Sequence, residues 1–243
     1  MRPGVPEEEL ERRRTFLRVA AAAAGIALAS CATAHAAGAE HAASGQEKDE
    51  EGEHGEEAEV TPGEDLMQEH GLIERVLLIY DEGASRIERS EAFDLAVITG
   101  AAGIVRRFVE DYHERQEEQS VFPRLQAAGR ESELVATLLR QHERGRQVTE
   151  EIVRKAGAGP SPELAQLLRS FARMYRPHAA REDTVLFPAF RAVVGRAAYE
   201  ELGEQFEDNE HKLLGDHGFE GTVAEVAKLE QSLGIGDLAK FTA

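Results

Sequence analysis

The stretch VEDYHERQEEQSVFPRL, residues 109–125, and the stretch MYRPHAAREDTVLFPAF, residues 174–190, carry one pattern twice. His113, Glu117, Val121, Phe122 and Pro123 of the first stand where His178, Glu182, Leu186, Phe187 and Pro188 stand in the second, 65 residues later. A histidine and a glutamate four positions apart lie on one face of an α-helix, so both can reach a single ion from the same wall. Two such helices facing each other supply two imidazoles and two carboxylates. That donor set suits iron, manganese or zinc, and bridging carboxylates are the usual way a four-helix bundle holds two metals close together.

Two further histidines, His70 and His142, each sit about midway along an apolar-periodic segment. The order along the chain is His70, His113 with Glu117, His142, then His178 with Glu182, one ligand or ligand pair for each of four successive helices. Taken singly, a buried histidine is usually a core residue and glutamates at helical spacing are usually a solvated face. Six such residues at one register outweigh that reading. Of the other histidines, His35, His41 and His54 fall in a leader or a polar linker, and His217 is expected to cap or pack rather than ligate.

The segments 66–83, 109–125, 138–148 and 174–190 resemble, in content, order and spacing, the hemerythrin-like or HHE cation-binding domains. The resemblance spans roughly Glu64 to Glu220 and implies an all-α, up-and-down four-helix bundle with additional C-terminal helices. It implies two irons per chain, bridged by carboxylates and an oxo or hydroxo group, with zinc or manganese as alternatives. His70 and His113 would hold one metal, His142 and His178 the other, and Glu117 and Glu182 would bridge. Oxygen-carrying hemerythrins place a further histidine four residues after the one on the third helix. Here that position is Arg146, a guanidinium that stays protonated and cannot ligate. Glu114 and Glu143, each directly after a histidine, are further carboxylates within reach of a vacant position. A site poorer in nitrogen and richer in oxygen favours reaction with oxygen, peroxide or nitric oxide over reversible carriage. The small ligand expected is therefore a diatomic gas or a peroxide. A non-redox module holding zinc or a single iron is the rival reading.

Glu11-Arg-Arg-Arg-Thr-Phe-Leu-Arg18 resembles a twin-arginine export signal, with Arg13 and Arg14 as the pair. The apolar run Val19 to Ala29 that follows is too short to span a bilayer and reads as a signal core. Leu28-Ala29-Ser30-Cys31 resembles a lipobox, and Cys31, the chain's single cysteine, is the expected lipidation site. Cleavage after Ala34 or Ala36 would instead release the protein. Export of the folded protein suits a cofactor loaded beforehand, so the expected address is the periplasm or cell envelope, with membrane contact only through a lipid anchor. Residues 1–30 thus form the leader, 31–60 an acidic linker and 61–243 the helical domain.

Glu40 to Asp65 holds eleven Asp or Glu against one basic residue, Lys48, and accounts for most of the net charge of −18. Such composition buries no apolar surface and is expected to be disordered. The acidic balance argues against a nucleic-acid partner. Thr61-Pro62-Gly63-Glu64 has the form of a capping box, so the folded domain should begin there. Helices are expected to Ile87, from Glu91 to Ala128, from Ser132 to Ala156, and from a cap at Ser161 through His178, with two shorter ones over Arg196 to Leu214 and Phe219 to Leu233. Pro177, Pro123 and Pro188 should each disturb their helix.

Overall fold

The computed structural model describes residues 60–215 and 217–242. The twin-arginine pair, Cys31 and nearly all of the acidic segment lie outside the described residues. Six helical rods and one short 3₁₀ turn make up the described part, which contains no strand.

Helix α1 runs Pro62–Glu88. Thr61 caps it as expected, its backbone N–H donating to the Glu64 carboxylate at 3.0 Å, with Pro62 at the first helical position. Helix α2 covers 96–127, and α3 covers Ser132–Ala158. Helix α4 covers 162–193, its first N–H groups capped by Ser161, whose hydroxyl accepts from Leu164 at 3.2 Å. Helices α5, Arg196–Leu214, and α6, Gly218–Leu233, follow. The start of α2 lies later than the sequence suggests. Asp94 accepts the Ala96 N–H at 2.9 Å, and this side-chain cap sets the helix start in place of Glu91.

Helix α4 packs against α1 and α3, and α2 packs against α1 and α3, so the four enclose one interior. Along α1 the buried residues Leu66, Glu69, His70, Ile73, Val76, Leu77 and Tyr80 recur at helical spacing. The buried apolar residues divide into two clusters. Ile73, Leu77, Phe108, Ile152, Leu168 and Phe171 belong to one, and Leu66, Phe122, Leu138, Phe187 and Phe206 to the other. The His and Glu residues picked out by the sequence belong to neither cluster and form a polar layer between them.

Helices α5 and α6 pack on the outside of this core. The Gly63 N–H, unpaired within the first turn of α1, donates to the Tyr199 hydroxyl of α5 at 2.9 Å. A Cβ at Gly63 would stand 2.6 Å from that oxygen, so a larger residue there would displace the tyrosine hydroxyl. Arg75 of α1 pairs with Glu230 of α6 at 2.6 Å.

The proline disturbances take a specific form. Three stretches adopt the wider π-helical turn, Val105–His113 and Glu117–Val121 in α2 and Glu182–Leu186 in α4. Two of them end just ahead of Pro123 and Pro188. A carbonyl left by the widened turn, that of Ser120, accepts from the Arg124 guanidinium at 2.7 Å. The helical pattern continues through Pro177, whose missing N–H withdraws the usual donor from the Arg173 carbonyl. Among the described residues no helix is long and apolar enough to cross a membrane.

Candidate metal centre

Helix α1 contributes His70, α2 contributes His113 and Glu117, α3 contributes His142, and α4 contributes His178 and Glu182; all six are buried. They meet in pairs. His70 Nε2 lies 3.1 Å from His113 Nε2, and His142 Nε2 lies 3.2 Å from His178 Nε2. Glu117 stands between the pairs, with Oε1 3.8 Å from His113 Nε2 and Oε2 3.4 Å from His142 Nε2. Glu182 Oε2 mirrors it from the other side, 3.4 Å from His70 Nε2 and 3.1 Å from His178 Nε2. Within 4.8 Å of one another lie donor atoms of Glu117, His142, His178 and Glu182, and likewise donor atoms of His70, His113 and Glu117. The two π turns beginning at Glu117 and Glu182 set the direction in which these carboxylates leave their helices, a common use of π turns at functional sites.

The opposite nitrogen of every imidazole is also engaged. His113 Nδ1 is 2.6 Å from Glu69 on α1, His142 Nδ1 is 3.1 Å from Glu118 on α2, His178 Nδ1 is 2.9 Å from the Gln141 amide oxygen on α3, and His70 Nδ1 is 2.6 Å from Asp183 on α4. All four partners are acceptors, so each Nδ1–H donates and each Nε2 is turned toward the centre. Each helix orients the imidazole of the next, and α4 returns to α1. Aromatic rings reinforce the arrangement: Phe122 stacks on His142 at 5.5 Å and Phe187 on His70 at 5.7 Å.

Glu69, Glu118, Gln141 and Asp183 are residues that the sequence reading passed over. For Glu118 and Asp183 the signal was present in the repeat itself, because an acid follows each paired glutamate; Glu69 and Gln141, directly before His70 and His142, lie outside the repeat. Each copy of the motif thus carries a donor pair plus an acid and a phenylalanine that both address one histidine of a neighbouring helix.

The family model for the hemerythrin HHE cation-binding domain matches residues 61–190, more than half of the chain. The chain belongs to the hemerythrin HHE family. Among curated proteins it is similar to the uncharacterized proteins Rv1995 of Mycobacterium tuberculosis and Mb2018 of Mycobacterium bovis. Each is 41% identical over 237 residues, covering 95% of this chain and 90% of the relative. No solved structure matches. The matched span contains the whole His and Glu layer, and cation binding is the property the family name carries.

The electrostatics of this hemerythrin domain fit a cation. Both carboxylate oxygens of Glu117 and both of Glu182 are buried without a hydrogen-bond donor. Two facing Nε2 lone pairs about 3 Å apart repel each other unless a proton or a metal lies between them. Roughly that separation follows when two imidazoles bind one ion with bonds of about 2.1 Å at a right angle. In the metal-free chain, burial and the neighbouring Glu182 push the Glu117 carboxyl well up. Burial also works against the Glu182 carboxylate, yet His178 and His70 hold it well down. Burial holds His113 well below the usual histidine range and takes His142 down to about 4. For His70 burial is outweighed by Asp183 and Glu182, which raise it to about 9. Protons in the metal-free centre therefore occupy positions that a divalent cation would take.

The two additional carboxylates behave differently from each other. Glu114 is buried beside the centre, but Arg146 holds it at 2.8 Å, and the same guanidinium nitrogen holds Glu118 at 2.6 Å. Arg146 therefore braces the acid that orients His142. Glu143 is exposed and joins none of the donor groups, because the rotation of about 100° per residue turns it from the interior to solvent. His217 is also exposed and occupies the N-cap position of α6 without a side-chain cap. The capping hydrogen bond comes from Glu210, which accepts the Phe219 N–H at 2.9 Å.

Proposed function

We propose that the chain is a dinuclear non-haem iron protein of the cell envelope that binds or reacts with oxygen, peroxide or nitric oxide. His70 and His113 hold one ion, His142 and His178 the second, with Glu117 and Glu182 between them, in an up-and-down four-helix bundle. One observation carries this reading: four imidazoles with Nδ1 engaged turn their Nε2 atoms onto four undonated carboxylate oxygens in a buried interior. When bound, iron supplies a one-electron couple per ion and a coordination position for a small ligand.

The protein's own groups then have separate tasks. Glu69, Glu118, Gln141 and Asp183 fix tautomer and ring direction, and Phe122 and Phe187 keep water from two of the rings. Arg146 pairs with Glu114 and Glu118 and offers no donor of its own, which leaves a centre with few nitrogen donors and supports reaction over reversible storage. The leader supports export by the twin-arginine route and lipidation at Cys31; Arg13→Lys with Arg14→Lys should keep the protein in the cytoplasm, and normal export of that variant defeats the proposed route.

A second reading is supported by the donor group Glu117, His142, His178 and Glu182, a complete four-donor set for one zinc. Metal analysis of untagged protein, with an optical spectrum before and after exposure to air, separates the two. Two irons per chain and a ligand-to-iron absorption band support the dinuclear reading. One zinc and a featureless spectrum support the other.

A further inference from the structure

Tyr175 lies three residues before His178 on α4, its ring stacked on the His178 imidazole at 5.0 Å and on Phe171 at 5.6 Å. It is 2% exposed, and its hydroxyl has no hydrogen-bond partner. A buried hydroxyl left unpaired is destabilising relative to a ring of the same shape without it. Phe171, one turn earlier in the same stack, shows that phenylalanine suits this packing. The hydroxyl therefore has to be explained by something other than the fold.

The surroundings indicate its direction. The charges acting on the phenol are those of Glu114, Glu117, Glu182 and Glu110, so the hydroxyl lies within the field of both paired carboxylates of the centre. Two other buried tyrosines provide the contrast. Tyr112 donates to Glu69 at 2.9 Å and is satisfied. Tyr80 is also without a partner, but neither Glu117 nor Glu182 is among the charges acting on it. Among the described residues Tyr175 is the buried phenol that combines an unused donor with proximity to the centre.

We infer that Tyr175 donates a hydrogen bond to the small ligand taken up at the metal centre, selecting ligands that present a lone pair away from the metal. The inference rests on the dinuclear reading above and adds a specificity-determining residue to it. Phe171, stacked on Tyr175, belongs to the buried apolar core, and in such surroundings a single donor weighs more than it would in water.

The test uses the full iron-loaded chain with sodium azide as the probe, followed by its absorption band and by the infrared N–N stretch of the bound anion. Tyr175→Phe should keep the iron content, bind azide about tenfold more weakly and shift the stretch. The metal-free Tyr175→Phe variant should melt at or above the unaltered chain, which shows that the fold is intact. Tyr80→Phe should leave azide affinity and the stretch unchanged. Azide binding within twofold of the unaltered chain in Tyr175→Phe overturns the donor role alone, as does equal weakening in Tyr80→Phe or an iron-loaded chain that binds no azide. A chain that takes up no iron overturns both the dinuclear reading and the inference.

Discussion

Asp183 on α4 accepts the Nδ1–H of His70 on α1 at 2.6 Å, closing a ring of four such contacts around the centre. The two residues are 113 positions apart in the chain, and the contact joins the first helix of the bundle to the last. Removing Asp183 therefore frees both the ring and the tautomer of His70. Asp183→Ala should lower metal affinity by about 10–100-fold, the usual effect of losing such a partner, while leaving the helical content unchanged. Competition with a chromophoric chelator measures this; unchanged affinity would mean that the contact is incidental.

The duplicated donors should be less forgiving. His113→Ala or His178→Ala removes a group from a cluster that ties four helices together, and metal content per chain should fall below half. Elemental analysis of both variants checks this, and full occupancy in both would remove the ligand assignment.

Loading the metal-free chain should raise its melting temperature. A ligand at about a thousand times its dissociation constant adds about 4 kcal/mol. At roughly 2–4 °C per kcal/mol for a domain of this size, the midpoint should rise by about 8–16 °C. Differential scanning calorimetry with and without chelator decides the matter.

Metal uptake should depend on pH through His70. Its folded-state value is raised to about 9, against burial, by Asp183 and Glu182, so its charge stabilises the metal-free fold below the unfolded value near 6.5, and this stabilisation is lost as pH rises through 9. The proton must leave before Nε2 can ligate. Zinc affinity should therefore climb about tenfold per pH unit between 7 and 9 and then level off, with a proton released on binding. Titration calorimetry in two buffers of different ionisation heat reads the proton directly; a flat profile would show that His70 is already neutral.

Arg146→Gln should expose the function of the guanidinium that faces Glu114 and Glu118. Leaving these acids without it should cost about 1–3 kcal/mol of stability. It should also loosen Glu118, and through it His142, so the metal on the α3 and α4 side should be lost first. Occupancy measured during stepwise chelation tests that order, and equal loss from both positions would contradict it.

Much of the fold was legible because local chemistry carried it. Thr61 with Glu64, Ser161 and the apolar spacing of α1 state their helices without help from elsewhere. The meeting of His113, Glu117, His178 and Glu182 in the interior was legible because the sequence repeats their spacing. Glu69 and Gln141 were not, since nothing local distinguishes an acceptor aimed at a neighbouring helix from a solvated side chain. Glu114 and Glu143 make the same point: each directly follows a histidine, yet one is buried against Arg146 and the other faces water. That difference is set by which helix lies alongside. The π turns were announced only as proline disturbances, and Pro177, which looked equivalent, sits in a stretch that keeps the α-helical pattern.

The order of the four acceptors around the centre has a hand. Glu69, Glu118, Gln141 and Asp183 each address the helix that follows, and a bundle wound in the opposite sense would turn all four away from their imidazoles. The two apolar clusters carry no such instruction, because leucine and phenylalanine pack acceptably against either neighbour. A costly polar layer therefore favours one of two mirror-related connectivities, a preference that apolar burial alone expresses less sharply.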